Sequence, residues 1–388
     1  MASMLLHILD WLLWCIMAVS VCYVLIFTLA SLLPRRKGKG PRASEVDYKF
    51  LVLFPAYQED TVIIQSVDSF LHQTYPQEKY RIVVISDHMQ PSTNKCLASK
   101  PITLLEPSFE KSSKAKAMQY AIDNVTEEYD YIVILDADNI VEPTFLEHLN
   151  QECNKGHQAI QCHRTAKNAN NDIAVLDGLS EEINNTIFRK GHNLIGLSSA
   201  LIGSGMCFDY QWFRDNVFKL DSAVEDRELE ALLLKQGIYI HYAEDIYVQD
   251  EKVSDSNNFQ RQRLRWMTGQ VQAFLNMLPY LPKAIVTGNI NYVDKTIQQA
   301  LIPRSILLML VAFISVITIL VVPCQSIKWW CLLLVLCTSL FFAIPIQLRK
   351  RAILSKALSL PKLVWKMMTN ILKIDHKNTD FIHTTHDK

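Results

Sequence analysis

Two aspartates one residue apart, Asp136 and Asp138, close the apolar run Tyr131-Ile132-Val133-Ile134-Leu135. Carboxylates at that spacing offer hard oxygen ligands suited to Mg2+ or Mn2+, ions that take one or two carboxylates and complete their shell with substrate phosphates. The pair therefore predicts a place where a divalent ion meets a diphosphate, set against the plainer alternative of an acidic, solvated turn. Other residues with chemical capacity are scattered along the text: Pro55-Ala56-Tyr57-Gln58-Glu59, Ser86-Asp87, Lys114, Glu225-Asp226 and Gln262-Arg263-Leu264-Arg265-Trp266. Asp226 opens a helical stretch in which Glu225 and Glu228 are also acidic. The helix dipole favours negative charge there, so a capping role for Asp226 stands beside a chemical one.

The elements that must position these residues follow from periodicity. An unbroken β-branched and apolar run is what a strand buried on both faces looks like. Lys49–Phe54, Tyr80–Ile85 and Ile102–Leu105 read as further strands, with an amphipathic stretch to His72 and a helix from Ser113 to Asn124 between them. This alternation predicts a doubly wound, mostly parallel α/β sheet with right-handed crossovers. Pro55, Asp87 and Asp136 all fall at carboxyl ends of strands, where a ligand crevice opens in such a sheet. Farther on, Ala159–Arg164 is a strand and Asp172–Lys190 a long polar helix. Leu201–Phe208 is an apolar strand interrupted by Gly203 and Gly205, which let backbone approach a ligand closely.

Three stretches carry no charge and are long enough to cross a bilayer: Trp11–Leu33, Ile306–Val322 and Trp329–Leu348. Arg35, Arg36, Lys37, Lys39 and Arg42 follow the first, and Arg349-Lys350-Arg351 the third. Positive charge after the first run, rather than before it, predicts an uncleaved anchor with the following domain in the cytoplasm. The chain divides into an anchor and basic segment (1–42), a central domain (43–295), a transmembrane hairpin (296–350), and an interfacial helix with a polar tail (351–388). In the last segment Leu360, Leu363, Val364, Met367, Met368, Ile371 and Leu372 recur at helical spacing among lysines. His383 and His386 belong to the solvated tail.

Composition narrows the field further. Lys+Arg 39 balances Asp+Glu 39, so no overall field draws the chain to nucleic acid. The 9 cysteines are dispersed without Cys-x-x-Cys, which fits free thiols in a reducing compartment.

Taken in order, Pro55-Ala56-Tyr57-Gln58-Glu59, Ser86-Asp87, Lys114 in Ser113-Lys114-Ala115, Asp136-Ala137-Asp138, Glu225-Asp226 and Gln262 to Trp266 resemble the motifs of family 2 glycosyltransferases. The likeness is to the membrane-embedded branch that includes cellulose, hyaluronan and poly-N-acetylglucosamine synthases. It implies a GT-A fold in the cytoplasm with transmembrane helices on both sides, a nucleotide-sugar donor (usually UDP), Mg2+ or Mn2+, and inversion at the anomeric carbon. It further implies that Pro55, Tyr57, Glu59, Asp87 and Lys114 hold the nucleotide, and that Asp136 and Asp138 bind the sugar and the metal-bridged diphosphate. Asp226 is then the base, and Gln262, Arg265 and Trp266 line the acceptor and diphosphate side. The acceptor implied is a glycan or a lipid, with a polysaccharide-export subunit as a further partner.

Two positions depart from the pattern: Ser113 stands where many relatives have glycine, and Gly203-Ser204-Gly205 differs from the Gly-Thr versions of the synthases. Similar Gln-to-Trp motifs also occur in lipid-glycosylating relatives such as ceramide glucosyltransferases, so single transfer to a lipid stands beside polymerisation. Two other classes remain: a phosphohydrolase of the haloacid dehalogenase type, whose Asp-x-Asp comes on its first strand, and a silent membrane scaffold.

Overall fold

The computed structural model describes residues 2–35, 46–168, 171–222, 224–252 and 256–349. The expected interfacial helix and tail, and most of the basic juxtamembrane residues, lie outside them. Eight strands form one sheet: β1 (Phe50–Tyr57), β2 (Tyr80–Asp87), β3 (Thr103–Leu105), β4 (Tyr131–Ile134), β5 (Ile140–Val141), β6 (Ala159–Ala166), β7 (Met206–Asp209) and β8 (Ile240–Asp250), in the order β3-β2-β1-β4-β7-β6-β8-β5. The helices are α1 (Ala2–Ser31), α2 (Ile63–Phe70), α3 (Pro91–Ala98), α4 (Lys114–Asn124), α5 (Phe145–Asn154), α6 (Asp172–Asn184), α7 (His192–Leu194) and α8 (Tyr210–Asn216). They continue with α9 (Glu225–Lys235), α10 (Ser256–Met277), α11 (Leu281–Val286), α12 (Ile290–Ala300), α13 (Arg304–Val321) and α14 (Pro323–Ala343).

The period of two along the central strands decides which face each residue serves. Phe50, Val52 and Phe54 of β1, Ile82 and Val84 of β2 and Val133 of β4 share one core with α2 and α5. Leu51, Leu53, Val83, Ile85, Ile132 and Ile134 point the other way, into a second core with α4, α8 and α9. Continuous apolar runs are thus buried twice over, as strands covered by helices on both faces must be.

The sheet is mixed, with β5 and β7 running against the other six strands. β1, β2, β3 and β4 run parallel, as do β6 and β8, but β7 lies antiparallel between β4 and β6, and β5 antiparallel to β8. The reason is local. Strand hydrogen bonding covers only Met206–Asp209 of the expected Leu201–Phe208, because Gly203 (φ +82°) and Gly205 (φ +62°) turn the backbone through left-handed conformations. The chain therefore re-enters the sheet from the carboxyl edge of β4, with Met206 opposite Ile134. The expected helix Asp172–Lys190 is also different: α6 gives way to a π-helical stretch at Asn185–Gly191.

Among the described residues, three helices are long and apolar enough to cross a membrane: His7–Ser31 within α1, Arg304–Val321 and Pro323–Ala343. They share a third core in which Val21, Val24 and Phe27 meet Leu307, Val311, Trp329 and Leu336. α13 and α14 meet directly at Val322, with Pro323 in the first turn of α14, where its missing N–H costs nothing. Asp10 fastens α1 to α14, accepting from Lys328 and from Trp329 Nε1 at 2.8 Å.

Candidate active site

At the carboxyl ends of β1 and β4 the strand order turns back on itself, with β2 and β3 on one side and β7, β6 and β8 on the other. That is where a crevice forms in an open α/β sheet. A cavity of about 730 Å³ occupies it, lined by Pro55, Tyr57, Glu59, Asp87, Lys114, Asp136, Asp138, Asp226, Gln262, Arg265 and Trp266. Every residue to which the resemblance assigns a role borders this one space.

Tyr57 and Asp87 are register partners at the ends of β1 and β2. The residues that follow them, Gln58 (φ 56°) and His88 (φ 55°), are held in left-handed backbone conformations. Such strain in non-glycine residues gathers at functional sites, and here it falls at both strand ends beside the crevice. His88 Nδ1 meets Asp87 Oδ1 at 2.5 Å, and Gln58 N donates to Asp87 O at 3.2 Å.

The turn after β4 is fixed by the Asn139 side chain. Asn139 Oδ1 accepts from Asp136 N at 2.9 Å, and Asn139 Nδ2 donates to Asp138 Oδ1 at 3.1 Å. Glu251 N donates to Asp138 Oδ2 at 2.8 Å, so the residue after β8 also orients this carboxylate. Lys114, at the start of α4 behind the Ser113 cap, donates to Asp136 Oδ1 and to Gly203 O at 2.6 Å, and its Nζ lies 3.9 Å from Glu225 Oε1. Burial alone would lower the Lys114 ammonium, but Asp136 and then Glu225 hold it above its ordinary value. It stays charged.

Gly203 closes the ring. A Cβ built there would lie 3.9 Å from both Asp226 Oδ2 and Glu225 Oε1, so the loop, the two acids opening α9 and Lys114 share a few ångströms. Gln161 and Glu230 pin that loop: Ile202 N donates to Gln161 Oε1 at 3.0 Å, and Leu201 N to Glu230 Oε2 at 2.8 Å. Asp226 is not the helix cap, since Val224 occupies that position and Asp226 Oδ1 accepts from the adjacent Arg227 N at 2.9 Å. Burial pushes the Glu225 carboxyl up to about 7, with Lys114 opposing and Asp226 reinforcing the shift.

Trp266 lines the cavity, but the Arg263 guanidinium stands 4.7 Å from its ring centroid, so one indole face is taken. Arg263 also pairs with Asp177 of α6. Gln262 Oε1 is buried without a hydrogen-bond partner among the described residues. A polar ligand atom would satisfy it.

The sequence did not single out the buried charges that form the back wall. Arg164 Nη2 donates to Glu181 Oε2 at 2.9 Å, with Arg189 3.3 Å and Lys252 3.7 Å from the same carboxylate. Lys252 Nζ is 2.9 Å from Asp250. Burial would raise the Glu181 carboxyl, yet Arg164, Lys252 and Arg189 together hold it far below its ordinary value. At its far end the cavity reaches Ser20 and Val24 of α1, Leu308 of α13, and Leu340 and Phe341 of α14.

The model for the family described as glycosyl transferase family group 2 matches residues 131–346. The chain belongs to that family. Membership sets aside the phosphohydrolase alternative. The mannosyltransferase PcManGT from Pyrobaculum calidifontis, solved with GDP-Man and Mn2+, aligns over 83% of this glycosyltransferase chain and 96% of its own, at TM-score 0.53 and 15% identity. With the mixed, Rossmann-like sheet, that likeness establishes a GT-A fold. S. aureus TarS 1–349 aligns over 84% and 90% at TM-score 0.42 and 14% identity. No curated protein matches the chain.

The donor set at Asp136 and Asp138 fits a divalent ion. It is all oxygen, and both carboxylates border the cavity.

Proposed function

We propose that the chain is an inverting glycosyltransferase that moves a sugar from a UDP-sugar to a hydroxyl of a lipid-linked or growing glycan acceptor at the cytoplasmic membrane face. One observation carries this reading: Asp226, far from Asp136 and Asp138 in the text, borders the same cavity, joined to them through Lys114 and Gly203. Tyr57, Glu59 and Asp87 hold the nucleoside beside Pro55. Lys114 fixes Asp136 toward the sugar and diphosphate. The acceptor oxygen attacks the anomeric carbon as the carbon–oxygen bond to the diphosphate breaks, and Asp226 takes the hydroxyl proton. Arg265 faces the charge left on the nucleoside diphosphate. Asp136 and Asp138 would hold Mg2+ or Mn2+, which would supply Lewis-acid neutralisation of that diphosphate. Gln262 Oε1 is a free acceptor for a sugar or acceptor hydroxyl.

The apolar end of the cavity favours a lipid-linked acceptor over a long hydrated polymer. Val24, Leu308, Leu340 and Phe341 belong to the three apolar helices, and a chain entering between them would come from the bilayer. Residues 1–42 act as anchor and 296–350 as hairpin, with Arg35 and Arg349 marking the cytoplasmic side.

The test is to incubate membranes with a panel of nucleotide sugars and Mn2+ or Mg2+, followed by mass analysis. One added sugar on a lipid supports this reading, and a ladder of sugars assigns a polymerase instead. Asp226→Asn should keep donor binding and lose about 100- to 10,000-fold in rate. Cellular function undiminished in that variant would point to a scaffold, and failure to consume any activated sugar would refute the proposal.

A further inference from the structure

Glu152 on α5, His157 just before β6 and His241 on β8 bring three ligand atoms within 4.8 Å of one another. None of the three lines the cavity of the candidate active site. β8 runs from His241 to Asp250, nine steps of about 3.3 Å, so the cluster lies about 30 Å of strand away from the end that faces Asp138. It is a different place with different chemistry: two imidazoles and a carboxylate, where the Asp-x-Asp turn offers oxygen alone.

Two features distinguish it from an ordinary surface ion pair. Glu152 is only 9% exposed, and its Oε2 has no hydrogen-bond partner among the described residues. His241 Nε2, buried 3.2 Å away, has none either. The two atoms face each other at ion-pairing distance but outside hydrogen-bond geometry, an arrangement that leaves both directed at a space a shared cation would fill. The second feature is how the carboxylate is held. Lys155 Nζ donates to Glu152 Oε1 at 2.8 Å, which fixes the group and leaves Oε2 directed at the two rings. An outer partner of this kind is what orients a metal-ligating carboxylate.

We propose that Glu152, His157 and His241 bind a transition-metal ion of the Zn2+ class, with water as the fourth ligand. Ligand bonds of about 2.0–2.1 Å in a tetrahedron put the donor atoms about 3.3 Å apart. Glu152 and His241 already stand at 3.2 Å. His157 Nε2 is 3.9 Å from Glu152 Oε2 and its ring stacks on His241 at 3.9 Å between centroids. It must therefore swing by roughly half an ångström and tilt out of the stack, and its side chain, 27% exposed, is the least confined of the three. Imidazole with carboxylate selects zinc, copper or nickel over magnesium. The ion ties the end of α5 to the starts of the parallel pair β6 and β8, so its role is to hold the fold rather than to enter the sugar chemistry.

The experiment uses the full chain in detergent, stripped with a chelator and then titrated with Zn2+, and separately with Co2+. The wild type should bind one Zn2+ per chain at this site, gain thermal stability, and show with Co2+ the intense visible absorption of a tetrahedral centre. Asp138→Asn should keep all three. His241→Gln should lose them at zinc concentrations that saturate the wild type, and Lys155→Met should weaken binding by about 10- to 100-fold. His157→Gln changes only the most exposed ligand, so it serves should His241→Gln fail to fold; it should lose the Co2+ spectrum while transferring sugar at the wild-type rate. Absence of zinc binding by the wild type, binding that survives His157→Gln with His241→Gln, or binding lost on Asp138→Asn would each overturn the proposal.

Discussion

Gly269 sits on α10, three residues past Trp266, at a point where that helix presses on the residue leading into α9. A Cβ added at Gly269 would stand 2.2 Å from Val224 Cγ1, more than an ångström inside ordinary contact. Val224 directly precedes Glu225 and Asp226, so relieving the clash moves either the acids of α9 or the Gln262–Trp266 side of the cavity. The stability terms nearly cancel. Alanine recovers about 1 kcal/mol of helix propensity, while overpacking costs about 1–3 kcal/mol. Catalysis has no such compensation, since a displacement of about 1 Å between reacting groups costs about 100-fold. Gly269→Ala should therefore melt within a few degrees of wild type yet lose on the order of 100-fold in kcat/KM. Removing two buried methyls in Val224→Ala costs about 2 kcal/mol, but in combination it frees the space that the methyl added by Gly269→Ala needs. Steady-state transfer assays on the four chains of this cycle should show the double variant recovering most of the loss. A Gly269→Ala enzyme with full activity would refute the reasoning, as would a loss that Val224→Ala does not rescue.

Three further outcomes follow from the same geometry. The Glu225 carboxyl is raised from 4.5 to about 7 by burial, so folding takes up a proton in that interval; its contribution to stability is full below about pH 4.5 and is lost as pH rises through about 7. Glu225→Gln should remove that portion of the slope in melting temperature against pH. Asp138→Asn should weaken Mn2+ binding in the presence of nucleoside diphosphate, measured by calorimetry, while leaving the melting temperature of the metal-free chain nearly unchanged. Glu181→Leu strands Arg164, Arg189 and Lys252 without their shared counter-charge and should cost about 3–5 kcal/mol, visible as a lower midpoint in denaturant.

The residues that touch the cavity were legible because each sits next to a signal that sequence carries well. Asp87 and Asp136 end apolar runs, and Lys114 opens the helix expected from Ser113, whose side chain accepts from Lys116 N at 3.2 Å. What supports them was not legible. Arg164, Glu181, Arg189 and Lys252 lie on β6, α6, the π-helical stretch and the chain after β8, and nothing in their local spacing announces that they meet. Two adjacent glutamates on a polar helix read as a solvated face, whereas Glu181 is 3% exposed.

The most instructive failure concerns β8. Its burial alternates along Tyr247–Asp250, as a strand with one covered face should. Earlier the alternation breaks: the pairing with β6 jumps from Cys162–Ala243 to His163–Tyr247, leaving Glu244, Asp245 and Ile246 as an irregularity. A shift of this kind destroys the period of two over which strand patterns are recognised, and it places two acids in the middle of the segment. Yet the irregularity serves a purpose. It re-aims the second half of β8 so that Asp250 reaches Lys252 and Arg164, and Glu251 N reaches Asp138. The feature that hides the strand from the sequence is the one that brings it to the Asp136–Asp138 turn.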